Sequence, residues 1–268
     1  MPKRRRLSYL SAYCLIVAFL YLPVLVLIGN SFNSSSLNGT FGHLTLDWYQ
    51  ALLHDRQILK ATGLSLRLAA ASASLALILG TLAAIALVRF TRFNGRTLLA
   101  GMINAPLVMP DILTGITQLL LFISMLNVFG GPSRGALTLW LSHTTFCTAY
   151  VAVTVRARLS DVDLSIEEAA MDCGAKPWQA FIDTTLRIIT PALLSAWLLS
   201  FTLSLDDLVI SSFVTGPRAT TLPMVIYSKV KLGVSPEINA LATVIFAVMG
   251  LGIILFSRRT LKVQASLS

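Results

Sequence analysis

The sequence predicts an all-α, polytopic membrane protein with about six membrane-spanning helices. Of its 268 residues, 55% are hydrophobic and only 12% are charged, and the mean hydropathy is +0.76. This composition lies outside the usual range of soluble domains. Apolar runs of about 20 residues, the length that crosses a bilayer as a helix, recur along the chain. We therefore interpret the whole chain, residues 1–268, as a single membrane domain.

Six apolar segments are long enough to span a membrane. The first, Leu7–Ile28, follows the basic residues MPKRRR and resembles a signal peptide, but it is longer than the apolar region of a typical signal peptide and no small-residue cleavage site follows it. We interpret it as an uncleaved helix. Pro106 and Pro110 predict a kink in the third segment, because proline interrupts helical hydrogen bonding. The predicted spans are residues 8–29, 64–88, 98–125, 137–158, 190–214 and 239–257.

The basic residues predict the orientation of these spans. The formal net charge is +9, and most of the 21 Lys and Arg residues fall in four groups that alternating spans place on one side of the membrane. Positively charged loops mark the cytoplasmic side, so both termini are expected in the cytoplasm. The four groups lie in residues 3–6, 89–96, 156–187 and 258–262.

The longest inner loop, about residues 159–189, predicts two short helices joined by a tight turn. Ser165 and Glu168 have the spacing of a capping box. Gly174 stands where a helix end favours glycine, and Pro177 suits the first turn of a second helix. An ordinary helical connection would show the same pattern.

This loop resembles the EAA loop of ABC importer permeases, and we use that name for residues 159–189. The matching residues are Glu168, Ala169, Ala170, Gly174, Ala175, Trp178, Phe181 and Leu186. Arg187 departs from the family, which usually has proline after the leucine. The resemblance implies a type I permease fold, with a helix that docks onto a cytoplasmic ATPase. The implied docking residues are Glu168, Ala169, Ala170 and Gly174.

Further segments resemble polyamine permeases, nearest to the putrescine type. They begin at Ala105 (APLVMPDILTG), Ser142 (SHTTFCTAYVAV), Phe201 (FTLSLDDLVISSFVTGP) and Thr220 (TTLPM). The resemblance implies a bacterial inner-membrane protein, surrounded by lipid, that forms a heterodimer with a second homologous permease. It also implies two ATPase subunits, a periplasmic polyamine-binding protein and no nucleic acid. This chain is expected to hold no cofactor, with ATP and Mg bound by the partner subunits.

Three carboxylates inside apolar segments indicate a path for a cation: Asp111, Asp206 and Asp207. A charge in a membrane helix costs about 2.5–3.5 kcal/mol on insertion scales, so it usually faces the protein interior or water. On a continuous helix, Asp207 shares a polar face with Ser204 and Ser211, and Asp206 turns about 100° away. We therefore expect Asp207 to line the path and Asp206 to meet a neighbouring helix or subunit. Alternatively, these carboxylates cap broken helices or hydrogen-bond across the bundle.

Polar residues on other segments extend the predicted path. Gln118 follows Asp111 at helical spacing, and Tyr150 follows His143 in the next span. Small polar side chains also join membrane helices in ordinary packing. Trp48 lies in a short amphipathic helix predicted in the outer loop, residues 31–60, with Asp47 as its expected N-cap. The alternative role of Trp48 is that of an interfacial anchor. The predicted path residues are Asp207, Asp111, Asp206, Tyr150, Ser204, Gln118 and Trp48.

The possible functions differ in the source of energy that would drive transport. The sequence has no G-x-x-x-x-G-K phosphate loop, so a partner or an ion gradient must drive transport. It shows no metal-ligand cluster and no nucleophile constellation, so we do not expect an enzyme. The main interpretation is a permease subunit of an ATP-driven putrescine/spermidine importer that works by alternating access. Alternatives are an ABC permease for another small cationic cargo, and a proton-coupled carrier with Asp206 and Asp207 as a relay.

Overall fold

The described part of the chain is almost entirely helical. A computed structural model describes residues 3–35, 40–90, 92–131, 133–233 and 236–265, and within these ranges the β-structure is limited to the isolated bridge Asn33–Leu44. The prediction of an all-α protein is confirmed. The helices are α1 (Lys3–Asn30), α2 (Asp47–His54), α3 (Arg56–Arg89), α4 (Arg96–Val108), α5 (Asp111–Phe129), α6 (Ala136–Ser160), α7 (Ser165–Asp172), α8 (Pro177–Ala180), α9 (Arg187–Asp206), α10 (Val209–Val214), α11 (Leu222–Leu232) and α12 (Pro236–Ala265); a π-helical segment, Phe181–Leu186, connects α8 to α9.

Four stretches of described helix are long and apolar enough to cross a membrane. They are Ala12–Asn30 in α1, the whole of α3, the whole of α5, and Pro177–Asp206. A shorter apolar stretch, Pro236–Val248, begins α12. The fourth predicted span corresponds to α6, which has 25 residues but is not among these four. The membrane-helix prediction is confirmed, and six is an approximate number of spans.

The chain divides into two compact units, and the larger one, Lys60–Val225, contains α4–α10 and most of α3. Its largest hydrophobic core brings together α3, α6 and α9. Ala76 of α3, Val151 and Val155 of α6, and Ile189 and Ala196 of α9 are completely buried there. Because these residues come from three long helices, this core fixes the framework on which the functional segments are held.

Small residues allow α3 to approach α6 closely. Ala76 and Ala84 of α3 are completely buried, and Gly80 lies between them. A Cβ atom at Gly80 would lie 2.6 Å from Cβ of Val151 and 2.9 Å from the backbone nitrogen of Ala152. Membrane helices commonly use such small residues to bring their backbones together. No larger side chain fits at Gly80 unless α6 moves away.

The other unit is drawn from the described residues of Met1–Leu59 and Ile226–Ser268, and within it α12 packs against α1 and α2. An ion-pair cluster also stabilises this unit. Lys229 donates to Asp55 at 2.6 Å and to Glu237 at 2.8 Å. Partial burial acts to raise the pKa of Asp55, but the hydrogen bonds from Lys229 and from the backbone N–H groups of Ile58 and Gln57 outweigh it and lower the pKa. Burial acts to lower the pKa of Lys229, and its two carboxylate partners outweigh that effect and raise it.

We expect two glycine substitutions on α3 to have opposite effects on stability. Gly80→Ala forces a Cβ against the backbone of α6, and overpacking of this kind typically costs about 1–3 kcal/mol. Gly63→Ala meets nothing within 4 Å and should be neutral or stabilising, since alanine favours helix more than glycine does. Thermal unfolding of the detergent-purified protein measures both. Equal melting temperatures for the two variants would contradict the close approach of α3 and α6.

Candidate functional site

Two helices of the larger unit are interrupted, and the segments that follow the interruptions pack together. The first interruption separates α4 from α5 at Met109 and Pro110, both of which have extended backbone angles. Proline has no N–H group to continue the helix and disfavours helical geometry at the residue before it. The predicted kink near Pro106 and Pro110 is therefore confirmed, with the break at Pro110. The second interruption separates α9 from α10, and Asp207 is its extended residue.

The segments after the two interruptions, α5 and α10, run in the same direction. Gly115 of α5 lies against α10, and a Cβ there would lie 2.6 Å from the ring of Phe213 and 3.4 Å from Cα of Ile210. Further along, Leu126 and Pro217 line the same small cavity. Both helices therefore begin at the same end of this packed pair.

Asp207 caps the start of α10. Its Oδ1 accepts the backbone N–H of Ile210 at 3.2 Å, and its Oδ2 accepts that of Ser211 at 2.7 Å. The first N–H groups of a helix have no partner within the helix and carry a partial positive charge, so a carboxylate stabilises them. Asp207 thereby replaces hydrogen bonds that the chain loses where α9 ends.

A completely buried histidine joins this cap to α6. His143 Nδ1 lies 2.7 Å from Ser204 Oγ, and Nε2 lies 3.0 Å from Ser211 Oγ and 3.3 Å from Asp207 Oδ2. A proton on Nε2 would point towards the carboxylate and leave Nδ1 to accept from Ser204. Since buried polar groups are costly without partners, the network fixes α6, α9 and α10 relative to one another.

The structure corrects the predicted polar face of the fifth span. That prediction assumed one continuous helix through Asp207, whereas α9 ends at Asp206 and the chain is extended at Asp207. Ser204, Asp207 and Ser211 do come together, but around His143 in the interior, and the Asp207 side chain is only 8% exposed. Asp206, which was predicted to turn away from the path, is exposed on the surface of the chain.

The other predicted path residues of this unit lie in varied surroundings. Asp111 is exposed and is the first residue of α5. Gln118 is half-buried, and its Oε1 has no hydrogen-bond partner within the described ranges. Tyr150 is half-buried and contacts Phe146 edge-on, with ring centroids 6.2 Å apart. Asp111 and Asp206 thus stand exposed at the same end of the α5–α10 pair, with Gln118 two helical turns beyond Asp111.

Trp48 belongs to the smaller unit and has a structural contact there. Its Nε1 donates to the backbone oxygen of Asn33 at 2.8 Å, which ties α2 to the segment after α1. The prediction that Asp47 caps this helix is wrong. Asp47 is the first residue of α2, Leu46 holds the N-cap position, and the Asp47 N–H donates to Thr45 Oγ1 at 3.1 Å.

The EAA loop forms the predicted pair of short helices, α7 and α8. Gly174 has φ +95°, a conformation that glycine adopts without strain, and the Ala175 N–H closes the end of α7 on the Ala170 oxygen at 3.1 Å. Pro177 is the first residue of α8, as predicted. These features form the turn that leads from α7 into α8.

The predicted capping box of the EAA loop is wrong. Ser165 is the first residue of α7 and does not occupy the N-cap position; its N–H donates to Asp163 Oδ1 at 3.0 Å. Asp163 lies two residues earlier and supplies the acceptor that the prediction assigned to Ser165. Both aspartate and serine can accept N–H groups at a helix start, so the four-residue spacing alone did not show which of Asp163 and Ser165 does so here.

The surface of α7 is open, and none of its residues is fully buried. Glu168 and Ala169 are exposed, Ala170 is half-buried, and Gly174 follows at the exposed turn. The neighbouring Glu167 faces inward instead and binds Arg89 and Thr185. No motif in the sequence indicated this role of Glu167. Two adjacent glutamates at a helix start face directions about 100° apart, and this spacing was the available signal.

Comparison with protein families identifies a matching model. Residues 76–261 match the family described as binding-protein-dependent transport system inner membrane component. The match covers more than half of the chain and includes α4–α10.

Individual relatives and a solved structure are similar over most of the chain. The putrescine transport system permease protein PotI of Escherichia coli (strain K12) is 56% identical over 234 residues, which are 87% of this chain and 83% of that protein. The spermidine/putrescine transport system permease protein PotC of the same organism is 44% identical over 86% of this chain and 85% of its own length. A bacterial ABC transporter involved in the import of the acidic polysaccharide alginate has the same fold, with TM-score 0.72, 17% identity and 96% of both chains covered.

Removing the buried imidazole should destabilise the protein strongly. We expect His143→Ala to cost about 2–5 kcal/mol, because it leaves a cavity in the core and removes one hydrogen-bond partner from each of Ser204, Asp207 and Ser211. Thr145→Ala is the matched control on the same helix, since Thr145 is exposed and bonds only to its own helix, at Leu141. Thermal unfolding in detergent measures both variants. A melting temperature of His143→Ala equal to that of the control would overturn the assignment of His143 as the joint between these helices.

Proposed function

The chain belongs to the family of binding-protein-dependent transport system inner membrane components, and we propose that it is the permease subunit of an ATP-driven polyamine importer. Two relatives that cover most of the chain carry putrescine or spermidine in their names, which supports this cargo class. The observation that carries the proposal is the exposed pair Asp111 and Asp206 at one end of α5 and α10, within segments that are otherwise apolar.

A polyamine fits two fixed carboxylates in an apolar setting. Putrescine carries an ammonium group at each end of a methylene chain, and spermidine carries one charge more. A carboxylate beside each ammonium offsets the loss of water around both charges, and apolar side chains accept the methylene groups. Asp111 and Asp206 are our proposed contacts, with Gln118 and Tyr150 as neutral neighbours.

Asp207 has a different role in this proposal. Its carboxylate is occupied by the N-terminus of α10 and by His143, and Ser204 is occupied by the same imidazole. Both residues act on the path indirectly, because they hold α10 and therefore keep the adjacent Asp206 at the surface. We propose that Trp48 likewise shapes the outer segment through its bond to Asn33 and does not touch the cargo.

Partner subunits supply the energy in this proposal. The sequence lacks a phosphate loop, so two ATPase subunits bind ATP and Mg on its behalf. The exposed helix α7, with Glu168, Ala169 and Ala170 and the turn at Gly174, is the proposed docking element for one ATPase. A second homologous permease completes the path, and a periplasmic polyamine-binding protein delivers the cargo. The surface of α5, of whose residues only Gly115 and Phe122 are fully buried, is available to the second permease.

Neutralising the exposed carboxylates should reduce uptake without preventing assembly. Asp111→Asn and Asp206→Asn each remove a charge-assisted contact of about 1.5–3 kcal/mol, so we expect about ten- to hundredfold slower putrescine and spermidine uptake. Asp206→Glu should retain a fraction. The assay is uptake of labelled polyamine by the complete complex in proteoliposomes, with the yield of complex measured in parallel.

Asp161→Asn is the control for this assay, because Asp161 is an exposed carboxylate just after α6 and outside the proposed path. Normal polyamine uptake by both asparagine variants would refute the proposed contacts. Faster uptake of another small cation than of putrescine by the unaltered complex would instead reassign the cargo.

The protein is a multi-pass component of the inner membrane, and we propose that both of its termini are cytoplasmic. The groups of basic residues support this orientation. We expect a cysteine at Ser133 to react with an impermeant maleimide from the periplasm, and a cysteine at Ser160 to react only after the membrane is opened; both positions are exposed. Cys14, Cys147 and Cys173 are replaced first. The reverse labelling pattern would invert the topology.

A further inference from the structure

The EAA loop is attached to the membrane helices through a polar cluster that involves Glu167. The Glu167 carboxylate binds the Arg89 guanidinium and accepts the hydroxyl of Thr185. Arg89 also approaches Thr185 directly, with Nη2 3.4 Å from Oγ1. We call Arg89, Glu167 and Thr185 the anchor cluster.

The anchor cluster joins three separate elements of the larger unit. Arg89 is the last residue of α3, Glu167 lies in the first turn of α7, and Thr185 lies in the π-helical segment that leads into α9. A cation at a helix C-terminus and an anion at a helix N-terminus each complement the helix dipole. Both ends therefore reinforce the ion pair.

Partial burial makes this contact stronger than an ordinary surface pair. The side chains of Arg89 and Glu167 are each 16% exposed, and Thr185 is completely buried. Exposed ion pairs typically contribute little to stability, whereas a charge-assisted hydrogen bond that is shielded from water is substantially stronger. Glu167 is thus held, while the adjacent Glu168 remains exposed.

The rest of α7 offers few alternatives for attachment. None of its residues is fully buried, and its apolar side chains Ile166 and Met171 are exposed by 41% and 39%. Without Glu167, α7 would remain folded and available to a partner, but its link to α3 would be lost.

We propose that the anchor cluster is a positioning site for energy coupling, which transmits displacement of α7 to α3 and to the start of α9. This inference rests on the proposed function, in which α7 receives the ATPase. The two adjacent glutamates then have different roles. Glu168 faces the ATPase, and Glu167 connects the docking helix α7 to the transmembrane helices. Loss of the anchor separates ATP hydrolysis from transport.

The test compares coupling in the assembled complex. For Glu167→Gln and Arg89→Gln we expect normal ATPase co-purification and ATP hydrolysis within about twofold of the unaltered complex, and about tenfold more ATP consumed per polyamine imported. The double charge exchange Arg89→Glu with Glu167→Arg should recover part of the coupling. Asp183→Asn is the matched control, an exposed carboxylate in the same π-helical segment.

A second measurement does not depend on the cargo. A cysteine is introduced at Thr202, an exposed position of α9. Its rate of reaction with maleimide is then compared with and without ATP. We expect an ATP-dependent change in the unaltered complex and in Asp183→Asn, and no change in Glu167→Gln. Failure of the unaltered complex to import polyamine would refute only the proposed cargo.

Two results would overturn the positioning role. One is an unchanged ATP-to-cargo ratio together with an unchanged Thr202 response in both single variants. The other is loss of ATPase binding in Glu167→Gln, which would make Glu167 part of the docking surface. Thr185→Val provides a second test in case the charge variants fail to fold, because it retains the ion pair. We expect this variant to fold and to consume more ATP per polyamine imported than the unaltered complex.

Discussion

The arrangement of α6, α9 and α10 in the larger unit depends on the contact between the Asp207 carboxylate and the first N–H groups of α10. A helix that ends inside an apolar segment leaves backbone groups without partners, and such groups are expensive away from water. Asp207 satisfies two of them, and His143 secures Asp207 to α6. With that arrangement in place, the chain leaves α9 and enters α10 while Asp206 remains exposed.

Much of this architecture could be predicted because its causes are local. Composition determines the membrane-helix class, the chemistry of Pro110 determines the break before α5, and the conformational freedom of Gly174 ends α7. The break at Asp207 has no such marker, since no proline or glycine stands there. A periodic pattern extended through it therefore predicted one continuous helix, and it did not show that Asp207 is buried while Asp206 is exposed. Contacts with residues of α6, more than 60 positions away, decide which aspartate is buried.

The roles of the two neighbouring glutamates of α7 likewise could not be predicted fully from local sequence. Family resemblance directed attention to Glu168, because that residue belongs to the recognisable motif. Glu167 has no motif of its own, and its partners, Arg89 and Thr185, come from elements 78 and 18 residues away. In sequence, Arg89 was one of several basic residues that indicated orientation. In the folded chain it also binds a specific carboxylate.

The length of α3 has a mechanical consequence. Its 34 residues correspond to about 50 Å of helix, whereas the hydrocarbon layer of a bilayer is about 30 Å thick. Even with considerable tilt, a rod of this length projects beyond the lipid. Because α3 is packed against α6 at Gly80 and continues as one unbroken helix to Arg89, a force applied at the Arg89 end acts directly on the hydrophobic core of the larger unit.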